Sequence, residues 1–167
     1  MENKIIRAYY GQGKGKTSAA LGQALRDLQK GQRLTVIQFL KGKWTENTYA
    51  LSLLEPDVQF FSFDKAEVAF KELTFEEQEQ EKQNIRNGFN FAKKVIETGE
   101  SDLIILDEIL GVIDLGIIDE KEVVELINTP NGYKKMYVTG NSCPEKLVSY
   151  IDVVSEMKMI KDDTERY

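Results

Sequence analysis

The segment YYGQGKGKTSAALG, residues 9–22, decides how the chain is read. It nearly fits the phosphate-gripping pattern G-x-x-x-x-G-K-[ST], but the pattern's first glycine falls at position 10, where the chain has Tyr10. The rest of the device is dense. Gly11, Gly13 and Gly15 let the backbone turn tightly and aim N–H groups at anionic oxygens. The preceding KIIRAYY has the β-branched and aromatic make-up of a strand. From about Gly15 onward an apolar stripe runs at helical spacing, Ala20, Leu21, Ala24, Leu25 and Leu28, and Gly31 closes it. A glycine loop between a strand and a helix N-terminus sets the positive end of the helix dipole against the anion. Lys16 is placed to reach phosphates, and the Thr17 hydroxyl to hold Mg²⁺.

Outward from the loop, strands alternate with helices. RLTVIQFLK and VQFFSF read as the next strands, and TFEE at 74–77 is a capping box that opens a helix to Thr98. The second half of that helix carries the stripe Ile85, Phe89, Ala92 and Ile96. Its first half, EEQEQEKQN, has no apolar residue and must face water, a partner or a ligand. DLIILDEI is a nearly continuous apolar strand of the type buried in a parallel sheet. Short helices are expected at 109–115, 120–128 and 144–150, and strands at KKMYVTGN and DVVSEMKMI. The segment 43–55 is mixed, loop and short helix. The alternation predicts an α/β, doubly wound, mostly parallel sheet, with ligands at the C-terminal ends of its strands. A chain of 167 residues without repeats or linker is expected to be a single domain, 1–167.

The second half of the site is LIILDE. Asp107 and Glu108 end a buried strand, where a phosphate-loop protein needs its second metal-orienting group. Composition removes other chemistries. There is no histidine, so no imidazole base, no His-based triad and no Cys/His zinc cage. The lone Cys143 reads as a packing residue, with nothing nearby in sequence to activate it. A net charge of −6 argues against a broad nucleic-acid footprint. No apolar run is long enough for a membrane span and MENKII is not a signal peptide, so a cytoplasmic location is expected. Trp44 reads as a partly buried loop aromatic.

This grip serves more than one reaction. A kinase or ATPase exposes the γ-phosphate to an acceptor or to water, which Glu108 could orient. If the ribose C5′ is the electrophile, the whole triphosphate leaves, and Lys14 inside the loop would help to neutralise it. A module that binds nucleotide without turning it over is a third possibility. The loop alone does not choose.

A wider set of motifs does. GQGKGKTSAALGQALR, VIQFLKG, LIILDEI, YVTGNSCPEKL and DVVSEM together resemble the P-loop corrinoid adenosyltransferases, in their order and approximate spacing, from residue 5 to about 158. The resemblance implies a P-loop NTPase-like fold of RecA type. It also implies a homodimer that transfers 5′-deoxyadenosyl from MgATP to cobalt(I) of a corrinoid, cobalamin or cobyrinic acid diamide, and releases triphosphate. Cobalt(I) would come from a reductase. That family also lacks the first glycine of the pattern and is known for binding ATP in the reverse sense. Carried over by residue, Gly11, Gln12, Gly13, Lys14, Gly15, Lys16, Thr17 and Ser18 would wrap the triphosphate. Lys16, Thr17 and Glu108 would be catalytic, and Thr17, Asp107 and Glu108 would hold Mg²⁺. Arg26, Gln38, Lys41 and Asn141 match family positions near the nucleotide. Leu73 and Phe75, where members often carry Phe-Thr-Trp, would form an apolar wall against the corrinoid.

Overall fold

A computed structural model describes residues 3–40 and 49–164. Its strands are β1 Ile5–Tyr10, β2 Leu34–Gln38, β3 Val58–Ser62, β4 Leu103–Asp107, β5 Lys135–Gly140 and β6 Val153–Glu156. They form one sheet in the order β3-β2-β4-β5-β1-β6, with every pairing parallel. The helices are α1 Lys16–Asp27, α2 Tyr49–Ser52, α3 Phe75–Thr98, α4 Ile109–Asp114, α5 Glu120–Ile127 and α6 Glu145–Val148.

Side-chain alternation along the central strands builds a core on each face. From β4, Leu103 and Ile105 pack with Ala20, Leu21 and Ala24 of α1. Ile104 and Leu106 face the other way, onto Ile85, Phe89, Ala92 and Ile96 of α3. Every residue of β2 and β4 is buried, as a parallel strand covered on both faces must be. The expected capping box forms: Glu77 N–H donates to Thr74 Oγ1 at 3.3 Å, and Thr74 N–H donates to Glu77 Oε2 at 2.8 Å. Gly99, in the left-handed conformation at φ 65°, ends α3 where the sequence placed the stop.

Two features position the site. β5 lies between β1 and β4, so the strand before the glycine loop and the strand bearing the acidic pair are not neighbours. Their C-terminal ends nevertheless open on the same side of the sheet, together with Gln38 of β2 and Gly140 of β5. The last strand is shorter than the sequence suggests. β6 stops at Glu156 because Met157 turns across the glycine loop: its N–H donates to the Tyr10 carbonyl at 2.7 Å. In the segment read as mixed, α2 spans Tyr49–Ser52, and Trp44 lies outside the described residues.

α1 is fastened to the sheet at its far end. Asp27 accepts hydrogen bonds from the Tyr137 hydroxyl at 2.6 Å and from Gln23 at 3.2 Å, and pairs with Lys135 at 3.3 Å. Burial pushes its carboxyl up, but the bonds from Tyr137, Lys135 and Gln23 and the Lys135 charge outweigh burial, and the net shift is downward. A carboxyl lowered in the folded state stabilises above its unfolded value, near 3.8, and that contribution is lost as pH falls through the folded value. Asp27→Ala is therefore expected to cost about 1–3 kcal/mol at neutral pH. The deficit relative to wild type should shrink as urea denaturation is repeated toward about pH 3.

Candidate active site

The glycine loop begins where β1 ends. Gly11 takes φ 121° and Gly15 takes φ 97°, backbone angles that a side chain disfavours, so these two glycines make the bends. Between them the loop is braced from below. Gly11 N–H donates to the Gly140 carbonyl at 3.1 Å, and Gly13 N–H donates to the Met157 carbonyl at 2.8 Å. A Cβ on Gly11 would stand 2.4 Å from the Met157 carbonyl oxygen, and one on Gly13 would stand 2.9 Å from it. Two glycines that the sequence assigned to phosphate contact are thus also demanded by the chain's own tail. The tail continues to Asp162, which forms an ion pair with Lys14. The Lys14 ammonium, with Thr164 bonds, holds that carboxyl well below its usual range.

The upper side of the loop is open: Gln12, Lys14, Gly15 and Ser18 are exposed. Gly15 gives α1 no side-chain cap, so the N–H groups of the first turn, from Lys16, Thr17 and Ser18, point toward the loop as donors for an anion. The Lys16 ammonium donates to the Gly13 carbonyl at 2.9 Å, across the same loop.

Asp107 lies beneath, only 3% exposed. Its Oδ1 accepts from the Thr17 hydroxyl and from the Thr139 hydroxyl, each at 2.8 Å, while Gln38 Nε2 stands 3.5 Å from Oδ2. Burial pushes the carboxyl up, and the Thr17 and Thr139 hydroxyls and the Lys16 charge offset part of that. Thr139 in turn accepts Glu108 N–H at 2.8 Å. Glu108 takes φ 64°, a left-handed conformation costly for a non-glycine residue and characteristic of functional positions. Its carboxylate folds over Gly111, where a Cβ would come within 2.7 Å of Oε2. The Thr17 hydroxyl spends its proton on Asp107 and keeps its lone pairs. The Thr17 hydroxyl and the Asp107 carboxylate are hard oxygen groups in contact, a donor chemistry that fits Mg²⁺ and does not suit a soft metal, while the Glu108 carboxylate stands over Gly111.

A cavity of about 390 Å³ adjoins the loop, with Lys16, Leu40, Phe70, Glu81, Glu108 and Asn141 in its wall. A larger groove of about 710 Å³ runs past Ile113, Val124 and Tyr150, and none of these groups reaches it.

The structure brings most of the sequence-predicted residues together. Gly11 to Ser18, Gln38, Asp107, Glu108 and Asn141 surround the loop and the cavity. Arg26 does not join them. It is exposed in the last turn of α1, ten residues after Lys16, and the helical rise puts it roughly 15 Å from the loop. Leu73 and Phe75 are absent from the cavity wall, and Phe75 is 77% exposed at the start of α3; Phe70 is the aromatic residue that faces the cavity. Lys41 lies outside the described residues. Three participants escaped the sequence reading. Thr139 was visible only as part of a T-G strand end, Glu81 as one acid in a polar half-helix, and Met157 only as a residue of the last expected strand.

The family model described as ATP:corrinoid adenosyltransferase BtuR/CobO/CobP matches residues 2–166. A corrinoid adenosyltransferase of Escherichia coli (strain K12) is 31% identical over 163 residues, which cover 96% of this chain and 79% of that one. Corrinoid adenosyltransferase CobA of Salmonella typhimurium (strain LT2) is 30% identical over the same shares. A corrinoid adenosyltransferase of Sinorhizobium is 29% identical, covering 96% of this chain and 74% of that one. The family match takes in the glycine loop, the acidic strand end, the cavity wall and the tail strap alike, and on that evidence the chain belongs to the ATP:corrinoid adenosyltransferase family.

Proposed function

We propose that this chain transfers the 5′-deoxyadenosyl group of MgATP to cobalt(I) of a corrinoid, with triphosphate as the leaving group. One observation carries the reading. Lys16 belongs to two places at once: its ammonium spans the glycine loop, and its side chain forms part of the cavity wall beside Glu108 and Asn141. A triphosphate on the loop and an electrophilic carbon at the cavity would meet at that lysine.

In this reading the filled cobalt(I) orbital attacks C5′. The cobalt–carbon bond forms as the C5′–O bond breaks, and the electron pair leaves on the triphosphate. No proton moves, so a site without histidine is adequate. What the protein supplies is position and charge. The first-turn N–H groups of α1, Lys14 and Lys16 neutralise the leaving group. Thr17, Asp107 and Glu108 would hold Mg²⁺, which would supply positive charge to the triphosphate. Gln38 fixes the Asp107 carboxylate, and Asn141 offers polar contact to the nucleoside. Leu73, Phe75 and Lys41 stay as candidates through resemblance alone. The enzyme works as a homodimer in the cytoplasm and receives its cobalt(I) from a separate reductase. Among the described residues no helix is long and apolar enough to cross a membrane.

The products test the reading. Protein incubated with MgATP and chemically reduced cobalamin is expected to give intact triphosphate and a light-sensitive cobalt–carbon product in equal amounts. ADP and orthophosphate formed without corrinoid would instead identify an ATPase. Tight ATP binding without either product would identify a nucleotide-binding module.

A further inference from the structure

The adenosyltransferase reading leaves open which corrinoid the cavity takes, and the composition of its wall answers. The corrin periphery carries acetic and propionic side chains, either as free acids or as primary amides. The two differ in hydrogen-bonding character. A carboxylate only accepts and is charged, whereas an amide is neutral and brings two N–H donors.

Across the cavity from the glycine loop, the wall is acidic. Asp64, Glu81 and Asp114 contribute carboxyls, Glu108 being assigned to the loop side, and among the described residues the cations in the lining are Lys16 and Lys71. Lys16 is engaged by the loop and, in the proposed reaction, by triphosphate. Glu81 is the unusual member. It lies in the half of α3 that the sequence left without an apolar residue, and it is the first buried residue of that helix. Only 5% of its surface is exposed. Lys65 N–H donates to its Oε1 at 3.2 Å, and Asn84 Nδ2 donates to its Oε2 at 3.3 Å. Asp64, whose Oδ1 accepts Ala66 N–H at 2.9 Å, lines the same stretch of the cavity wall. Burial and the Asp64 charge push the Glu81 carboxyl up, against the hydrogen bonds from Lys65 and Asn84. The pair stands between the 64–71 loop and α3, in the wall of the space where the acceptor must lie.

We propose that the Glu81–Asp64 pair makes this cavity selective for corrinoids whose peripheral carboxyls are amidated. An amide N–H finds carboxyl oxygens to donate to, in charge-assisted hydrogen bonds. A free carboxylate placed beside Glu81 and Asp64 meets like charge, which is discrimination by repulsion. Glu81 and Asp64 act here as specificity residues and have no part in bond making.

The test compares kcat/KM at saturating MgATP for two chemically reduced probes, cobinamide, fully amidated, and cobyrinic acid, with free carboxyls. Wild type is expected to prefer cobinamide by about tenfold or more. Glu81→Gln is expected to bring the ratio toward one, chiefly by lowering KM for cobyrinic acid. Asp64→Asn, at a less buried position, is expected to do the same and serves where Glu81→Gln does not fold. A role confined to holding the 64–71 loop would lower both values together and leave the ratio in place, which would overturn the proposal. So would a wild-type ratio near one or below it. Transfer to neither probe by wild type would remove the adenosyltransferase reading itself, whereas equal transfer to both removes only the selectivity.

Discussion

Lys16→Ala is expected to lower adenosyl transfer by about 10³-fold while leaving the protein folded. The expectation rests on what the side chain touches and what it does not. Lys16 is half-buried, belongs to neither core, and its ammonium bonds to the Gly13 carbonyl within its own loop. Nothing in the sheet depends on that bond. In the proposed reaction, however, negative charge gathers on the leaving triphosphate as the C5′–O bond breaks, and Lys16 is the cation shared by the loop and the cavity. Removing one preorganised donor at such a place typically costs 10²–10³ in rate, and a full charge sits at the upper end. Lys16→Arg should rescue little, because the planar fork is wider than an ammonium in a loop closed by Gly13 and Gly15. Cobalt–carbon formation followed by absorbance, beside a thermal melt of each variant, checks both halves. Transfer by Lys16→Ala at more than a tenth of the wild-type rate would remove Lys16 from the mechanism.

What the sequence made legible was what short-range chemistry encodes. The capping box at Thr74 and Glu77, the helix end at Thr98 and the continuous apolar run of β4 each concern neighbours within a few residues, and all appear where expected. So does the meeting of Thr17 with Asp107, because strand, loop and helix leave little choice about where each points. What was not legible depends on distant segments crossing. The stripe of DVVSEMKMI gives no hint that Met157 leaves the sheet and passes beneath the loop. An acid in a row of acids gives no hint that it is Glu81 that turns inward, since Glu76, Glu77 and Glu79 carry the same charge and stay exposed. Arg26, assigned near the nucleotide by resemblance, lies exposed in the last turn of α1, about 15 Å along the helix from the loop.

Gly11→Ala is expected to destabilise the protein by about 3 kcal/mol or more and to abolish MgATP binding, although position 11 carries no chemistry of its own. Three costs coincide. At φ 121° an L residue is strained, by about 1–3 kcal/mol. The new Cβ would stand 2.4 Å from the Met157 carbonyl oxygen and 3.0 Å from its nitrogen, both backbone atoms that no rotamer change can move. Relief then requires the tail to lift, which breaks the bonds from Met157 N–H to Tyr10 and from Gly13 N–H to Met157, at about 0.5–1.5 kcal/mol each. Lifting the tail also draws Asp162 from Lys14 and frees the loop to leave the shape that aims its donors. Gly15→Ala provides the control. That glycine is also left-handed, at φ 97°, but a Cβ there meets nothing within 4 Å, so it should cost only the local strain, about 1–2 kcal/mol. Urea denaturation of the two variants, with MgATP titrated calorimetrically into each, separates strain from collision. If Gly11→Ala is no less stable than Gly15→Ala, the tail does not brace the loop, and the glycines of the opening stretch answer to phosphate alone.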